Sequence, residues 1–346
     1  MFTGWNKTEI KRDNGEVVIG IAPIIISASR STDIPAFYSK WFMNRLRNSG
    51  YVKWVNPFNQ TPQYISFKNT RVIIFWTKNP SPMIPYLKEL DDLDINYYFQ
   101  FTLNDYDNEK FEPNIPKLHY RKDVFKQLSE EIGKEKVIWR FDPLILTSEL
   151  TVRELLKKTL YLGNELIDYT NKLVFSFADI SVYKKVQNNL LRELPERFNK
   201  SNILHSEFSK DKKEELAEGL RKILIEWKKR NTNFEIASCS EDIHLEKYNI
   251  THNKCIDDDL MIKLFSDDKK LMKLLGYNPN ETNLFGIRPN LKDKGQRRDC
   301  ACVYSKDIGA YNTCSHLCVY CYANTSSKTV SANKKKHTIY SEGILA

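Results

Sequence analysis

The sequence predicts an α/β fold built as a (β/α) TIM-like barrel, partial or permuted, and three observations carry that reading. Short apolar runs of strand length alternate with helical patterns. The runs are apolar throughout, as parallel strands covered on both faces are. No glycine-rich phosphate loop follows the first run, which disfavours a doubly wound sheet. At 346 residues the chain can bury such a core as one unit.

The runs are Val17–Ser29, Val72–Thr77, Tyr97–Leu103, Val137–Phe141, Leu173–Ala178 and Phe234–Ser238. Between the first two, Gly50 to Phe67 departs from the alternation and reads as a β-hairpin insertion. Helix-start signals follow the strands at Asp33-Ile-Pro-Ala-Phe37 and Pro80-Ser-Pro82. Thr151-Val-Arg-Glu154 is a capping box opening a helix with Leu155, Leu156 and Leu160 on one face. Leu216, Leu220, Ile223, Leu224 and Trp227 form the stripe of a core-facing helix. After about residue 279 the pattern dissolves into Arg-, Lys- and Asn-rich sequence. The expected division is therefore a barrel over 1–278 and a C-terminal segment, 279–346, packing on the barrel mouth. Beyond Asn324 the Ser-, Lys- and Asn-rich tail reads as mobile or irregular.

No stretch approaches the roughly 20 apolar residues of a membrane span; the longest apolar candidate, Val17 to Ala28, is broken by Pro23. The first residues lack the basic-then-apolar layout of a signal peptide, so a cytoplasmic location with no membrane partner is expected. The net charge of +9 admits a polyanionic partner, but lysines are spread over the chain, and a solvated surface accounts for them as well.

A barrel carries its active site at the C-terminal ends of its strands. Hydrogen-bonding and charged groups end each run here, some of them as helix caps or strand-end ion pairs, and together they describe a polar cup. Arg30, Asp33, Lys78, Arg140 and Asp142 are the candidate catalytic residues, and Gln100, Thr102 and Ser176 the candidate cofactor contacts. For an ordinary barrel hydrolase, Asp142 and Asp179 are the nearest candidate carboxylates.

Seven cysteines are present, none of them in the first 238 residues. An odd, clustered set points to metal rather than a disulfide framework. Cys314-x3-Cys318-x2-Cys321 puts three thiolates on one compact loop, enough to hold three irons of a 4Fe–4S cluster and leave the fourth open. A structural zinc site is the competing reading, with His316 as a fourth ligand, although His-x-Cys is tight for tetrahedral geometry. The other four, Cys239, Cys255, Cys300 and Cys302, are the number that closes a second, auxiliary cluster; zinc, simple burial, or Cys239 as a hydrogen-atom donor are the alternatives.

Thr313-Cys-Ser-His-Leu-Cys-Val-Tyr-Cys-Tyr-Ala-Asn324 resembles the cluster loop of the radical S-adenosylmethionine superfamily, and is most similar to the subgroup that includes spore photoproduct lyase. The whole chain resembles the bacterial family catalogued as domain of unknown function 1848. The matching stretches are Ile26-Ser-Ala-Ser-Arg-Ser-Thr-Asp-Ile-Pro-Ala-Phe-Tyr38, Phe75-Trp-Thr-Lys-Asn-Pro80 and Asp307-Ile-Gly-Ala-Tyr-Asn-Thr-Cys314. The superfamily resemblance implies S-adenosylmethionine on the open iron, reductive cleavage to a 5′-deoxyadenosyl radical, and hydrogen abstraction inside the barrel. It also implies an electron donor such as flavodoxin or ferredoxin and a small-molecule or nucleic-acid substrate. Tyr322, directly after the third cysteine, is then placed to pack on adenine. The superfamily carries this loop after the first barrel strand, whereas here it lies late in the chain. A circular permutation reconciles the two, with Val303–Ile308 supplying a strand beside Val17–Ser29. The alternative function is a non-radical iron–sulfur or zinc protein that binds nucleic acid.

Overall fold

The computed structural model describes residues 4–278 and 288–345, so the expected division after residue 278 borders a segment outside the described residues. The strands are β1 (Asn6–Lys11), β2 (Val17–Ala22), β3 (Ile25–Ala28), β4 (Tyr51–Val55), β5 (Pro62–Ser66), β6 (Val72–Thr77), β7 (Asn96–Thr102), β8 (Val137–Leu144), β9 (Lys172–Phe177), β10 (Glu235–Ser238), β11 (Ile250–His252) and β12 (Lys306–Asp307). Eight of them form one sheet in the order β12-β3-β6-β7-β8-β9-β10-β11. Every pairing in it is parallel. Among the described residues no ladder joins β11 to β12, so the sheet has two edges and is not a closed barrel.

Alternation along the strands sorts side chains to opposite faces. One face carries Ile73 and Phe75, Tyr97, Phe99 and Phe101, Val137, Trp139 and Phe141, and Leu173, Phe175 and Phe177, all buried in the larger core. The helices Leu118–Ile132, Val152–Leu166 and Lys210–Lys228 contribute to that core. The opposite face is apolar at its start, with Ile25, Val72, Ile74, Tyr98, Ile138 and Val174 packed with Met261, Phe265, Leu271 and Met272 from two short helices. Toward the strand ends it turns polar, through Gln100, Arg140 and Ser176. The same period-two pattern therefore builds both a dry floor and a polar rim.

The expected run Val17–Ser29 is two strands, not one. Pro23, which has no N–H for a ladder, separates β2 from β3. β2 joins a second, four-stranded sheet of order β1-β2-β5-β4, in which β4 and β5 form the expected hairpin. The expected strand within Val303–Ile308 is present as β12, which pairs in parallel with β3 through Lys306 with Ile26 and Asp307 with Ser27.

Thr151 caps the helix Val152–Leu166 as expected, its hydroxyl accepting from the Glu154 N–H. The buried face differs from the expected one. Leu160 is 39% exposed, while Leu155, Thr159, Leu162, Gly163 and Leu166 face inward. Gly163 is required there, because a Cβ would stand 1.8 Å from the Trp227 ring of the neighbouring helix. In that neighbour Leu216, Leu220, Leu224 and Trp227 are buried as expected. The tail beyond Asn324 is not irregular: Ser326 caps a helix over Ser327–Lys336, and the chain then clasps the N-terminal elements. Trp41 Nε1 donates to the Ser341 carbonyl at 2.7 Å, and Arg12 pairs with Glu342 at 2.8 Å.

Candidate metal centre

All seven cysteines line one cavity of about 1020 Å3 at the C-terminal ends of the parallel strands, and all are free thiols. The loop of Cys314, Cys318 and Cys321 enters directly after β12. Asp307 sets that entry: its carboxylate accepts from the Arg30 N–H at 2.9 Å, the Ser27 hydroxyl at 3.1 Å and the Gly309 N–H at 2.8 Å. Gly309 fits only without a side chain, since a Cβ would stand 1.8 Å from the Ser29 hydroxyl.

The loop is tied down on every side. Thr313 and Thr32 share a hydroxyl bond of 2.7 Å, and Tyr38 donates to the Thr313 carbonyl at 2.8 Å. Asn324 donates to the Cys314 carbonyl at 2.8 Å, and Asn189 to that of Cys321 at 3.2 Å. His316 is buried against Phe37 with Nε2 on Asp33 and Nδ1 without a hydrogen-bond partner, and among the described residues it does not gather with the loop thiols into a group of ligand atoms within 4.8 Å. Burial pushes the Cys314 thiol up to about 12 and raises those of Cys318 and Cys321. Thiolates at these positions need a positive centre to stabilise them.

Of the candidate catalytic residues, Arg30, Asp33, Lys78, Arg140 and Asp142 all line the cavity, but most are committed to internal partners. Asp33 caps the short helix Ile34–Phe37 and accepts from the Lys78 N–H at 2.7 Å. The Lys78 ammonium bonds Glu112 at 2.7 Å and the Tyr320 hydroxyl at 2.9 Å. Although burial opposes it, the Lys78 charge holds the Glu112 carboxyl below its usual range. Arg140 grips Asp142 through two nitrogens, at 2.6 and 3.0 Å, and Ser176 donates to the same carboxylate. Arg30 is the exception. Its Nη2 is buried without a hydrogen-bond partner, beside a Trp76 ring whose Nε1 is likewise buried and unpaired.

Of the candidate cofactor contacts, Thr102, Ser176 and Tyr322 line the cavity. Gln100 does not. It is buried beneath, where it donates to the Cys255 carbonyl at 3.0 Å and accepts from Arg140 at 3.2 Å. Tyr322 stands among aromatic neighbours, 5.7 Å from the Tyr183 ring and 6.1 Å from that of Tyr311. Asp179 is paired with Arg297 rather than poised as a catalytic carboxylate.

Cys239, Cys255, Cys300 and Cys302 also converge. The sulfurs of Cys239 and Cys255 lie 3.2 Å apart, and Cys302 accepts from the Cys255 N–H at 3.2 Å. A hydrogen bond from Cys255 brings the Cys239 thiol down to about 7, with Arg140 adding to the effect. Among the described residues no three thiols bring their sulfurs within 4.8 Å of one another. Sulfurs around a single tetrahedral zinc, with Zn–S bonds of about 2.3 Å, lie roughly 3.8 Å apart. Both donor sets are all-thiol, and neither brings three sulfurs together as one preformed tetrahedral ion site.

Sequence reasoning missed Glu112, Tyr320, Asp307 and Trp76 as site residues. Tyr320 sits between two of the motif's cysteines and Trp76 ends an apolar strand, so each had a positional signal. Glu112 lies in an aperiodic stretch and had none.

Residues 25–323 match the family described as domain of unknown function (DUF1848). The chain belongs to that family. The matched span of this DUF1848 chain begins at β3 and ends just past the third loop cysteine, so it takes in the whole eight-stranded sheet and all seven cysteines. No curated protein matches it. One solved structure, a Bacteroides thetaiotaomicron chain named provisionally as an alpha-L-fucosidase, aligns at 10% identity over 80% of this chain and 88% of that chain. Its TM-score of 0.23 is too low to carry an argument. Among the described residues no helix is long and apolar enough to cross a membrane.

Proposed function

We propose that this protein is a radical S-adenosylmethionine enzyme that holds a 4Fe–4S cluster on Cys314, Cys318 and Cys321 inside a partial, permuted (β/α) barrel. The observation that carries this reading is the pairing of β12 with β3. In spatial order the cysteine loop follows the first strand of the sheet, which is where the superfamily it resembles carries its cluster. Three free thiols face one large cavity from a single loop, and their spacing suits a polynuclear cluster better than one ion.

Bound there, the cluster and S-adenosylmethionine would supply reductive cleavage of a sulfonium carbon–sulfur bond and a carbon radical. The chain's own residues bind, orient and exclude water. Tyr322, with Tyr183 and Tyr311, offers an aromatic wall for adenine. The unpaired Arg30 Nη2 is a donor free to hold a carboxylate or a phosphate. Pro57 and Phe58, from the β4–β5 turn, rim the opening. Lys185 adds positive charge to the lining and suits an anionic substrate, either a small molecule or a nucleic-acid group. An electron donor such as flavodoxin or ferredoxin completes the system.

The test is anaerobic reconstitution followed by reduction in the presence of S-adenosylmethionine. Wild-type protein is expected to release 5′-deoxyadenosine, and Cys318→Ala to release none. A colourless, zinc-loaded wild-type protein inert toward S-adenosylmethionine overturns the reading.

A further inference from the structure

We infer that Cys239, Cys255, Cys300 and Cys302 bind a second 4Fe–4S cluster, and that this cluster bridges the two edges of the eight-stranded sheet. The inference does not depend on the radical reading, because it concerns different ligands.

The four cysteines come from three places in the fold. Cys239 directly follows β10, Cys255 lies three residues beyond β11, and Cys300 and Cys302 precede β12. β11 and β12 are the two edges between which no ladder forms among the described residues. Between those segments Val303 N–H bonds the Ile256 carbonyl at 3.1 Å. An unpaired edge is a liability that proteins cover or close, and here a metal centre is the feature positioned to do it.

Two of the four sulfurs are met by hydrogen-bond donors rather than by apolar side chains alone. The Cys255 sulfur receives Arg140 Nη1 at 3.0 Å and Asn253 Nδ2 at 3.0 Å. The Cys302 sulfur receives the N–H groups of Cys255 and Ile256 at 3.2 and 3.4 Å. Donors converging on sulfur in this way orient and stabilise anionic ligands. Two buried cations lie close by. Arg30 and Arg140 both stand over the Trp76 ring, at 5.4 and 5.2 Å. They offset part of the negative charge of an oxidised cluster with four thiolates, Arg140 while also paired with Asp142. Tyr98 and Gln100 on β7 both bond the Cys255 carbonyl, at 2.8 and 3.0 Å, and fix the backbone of one ligand to the middle of the sheet.

The count selects the metal. Four thiols complete a cluster and leave no iron open, so this centre is closed to substrate. Cys239 and Cys255 stand 3.2 Å apart, but no three of the four sulfurs lie within 4.8 Å of one another, so they do not form a preset tetrahedral zinc site. The 3.2 Å between Cys239 and Cys255 is well beyond a disulfide bond of about 2.05 Å.

The test is to replace Cys314, Cys318 and Cys321 together by Ala, reconstitute the full chain anaerobically with iron and sulfide, and count metal per chain. The expected result is about four irons and four sulfides, against about eight of each in wild type, with a paramagnetic cluster signal after dithionite. Iron-free protein, or one zinc per chain, in a triple variant whose circular dichroism matches wild type overturns the proposal. So does a Cys239–Cys255 disulfide found by mass spectrometry of anaerobically purified protein. Should the triple variant not fold, Cys255→Ser/Cys302→Ser replaces it. That variant is expected to keep about four irons and the 5′-deoxyadenosine activity while melting below wild type; an iron count equal to wild type overturns the proposal.

Discussion

His316 Nε2 lies 2.7 Å from Asp33 Oδ2, with both side chains buried. The pair joins the middle of the cysteine loop to the turn that follows β3. Asp33 serves two further partners, the Ala36 N–H at 2.9 Å and the Lys78 N–H at 2.7 Å. One carboxylate therefore fixes a helix start, the end of β6 and the cysteine loop. Asp33→Ala is expected to cost roughly 3 kcal/mol, from a lost cap and lost charge-assisted bonds. Iron retention by the loop should fall with it. Urea unfolding and iron content check both, and Asp33→Asn, which can still cap, should lie between.

Glu112 is the buried anion on which Lys78, Asn104 and Tyr320 converge. Arg121 lies 3.9 Å away as a second cation. Glu112→Gln removes the charge that balances both, and is expected to destabilise by roughly 3 kcal/mol. Replacing Lys78 by Met in the same chain should restore part of that loss. A double-mutant cycle in urea measures the coupling, and a purely additive result would mean that the ion pair contributes nothing.

Hydrogen bonds from Arg12 and Tyr51 hold the Glu342 carboxyl down at about 2, from an ordinary 4.5. A carboxyl whose folded value is depressed contributes stability above its unfolded value and loses that contribution as pH falls through the folded one. The clasp of the C-terminal tail on β4 and the β1–β2 hairpin is therefore at full strength above about 4.5 and gone near 2. Because the pair lies at the surface and is partly solvated, its contribution is about 1 kcal/mol. Glu342→Gln should lower the denaturation midpoint at pH 7, and the gap to wild type should shrink as the pH approaches 3. A gap that does not change with pH would show that the charge is not what holds the tail.

Much of the sheet was legible because parallel strands buried on both faces are written as unbroken apolar runs. β6, β7, β8 and β9 stand where those runs stand. β11, Ile-Thr-His, is short and partly exposed, and so left no such mark. β2 was merged with β3 because Val17 and Ile19 are apolar yet 61% exposed, a pattern that composition cannot tell from a buried strand. On the helix Val152–Leu166 the inward face is completed by Thr159 and Gly163, neither of which signals burial, so the leucines alone pointed to the wrong stripe. At the site the cysteines were legible from spacing and number. The ion-pair network beneath them was not, because Glu112 reaches Lys78 and Tyr320 only once β6, the loop after β7 and the cysteine loop have met.

Ser27 and Asp307 share a hydrogen bond of 3.1 Å across 280 residues of chain. During synthesis β3 leaves the ribosome long before its neighbour on that side exists. At about 5–20 residues per second the interval is on the order of half a minute. For all of it the growing chain keeps a bare strand edge, and for most of it the chain has no thiol to offer, since the first cysteine is residue 239. On the proposed reading, a cluster would then be inserted only into a nearly finished polypeptide.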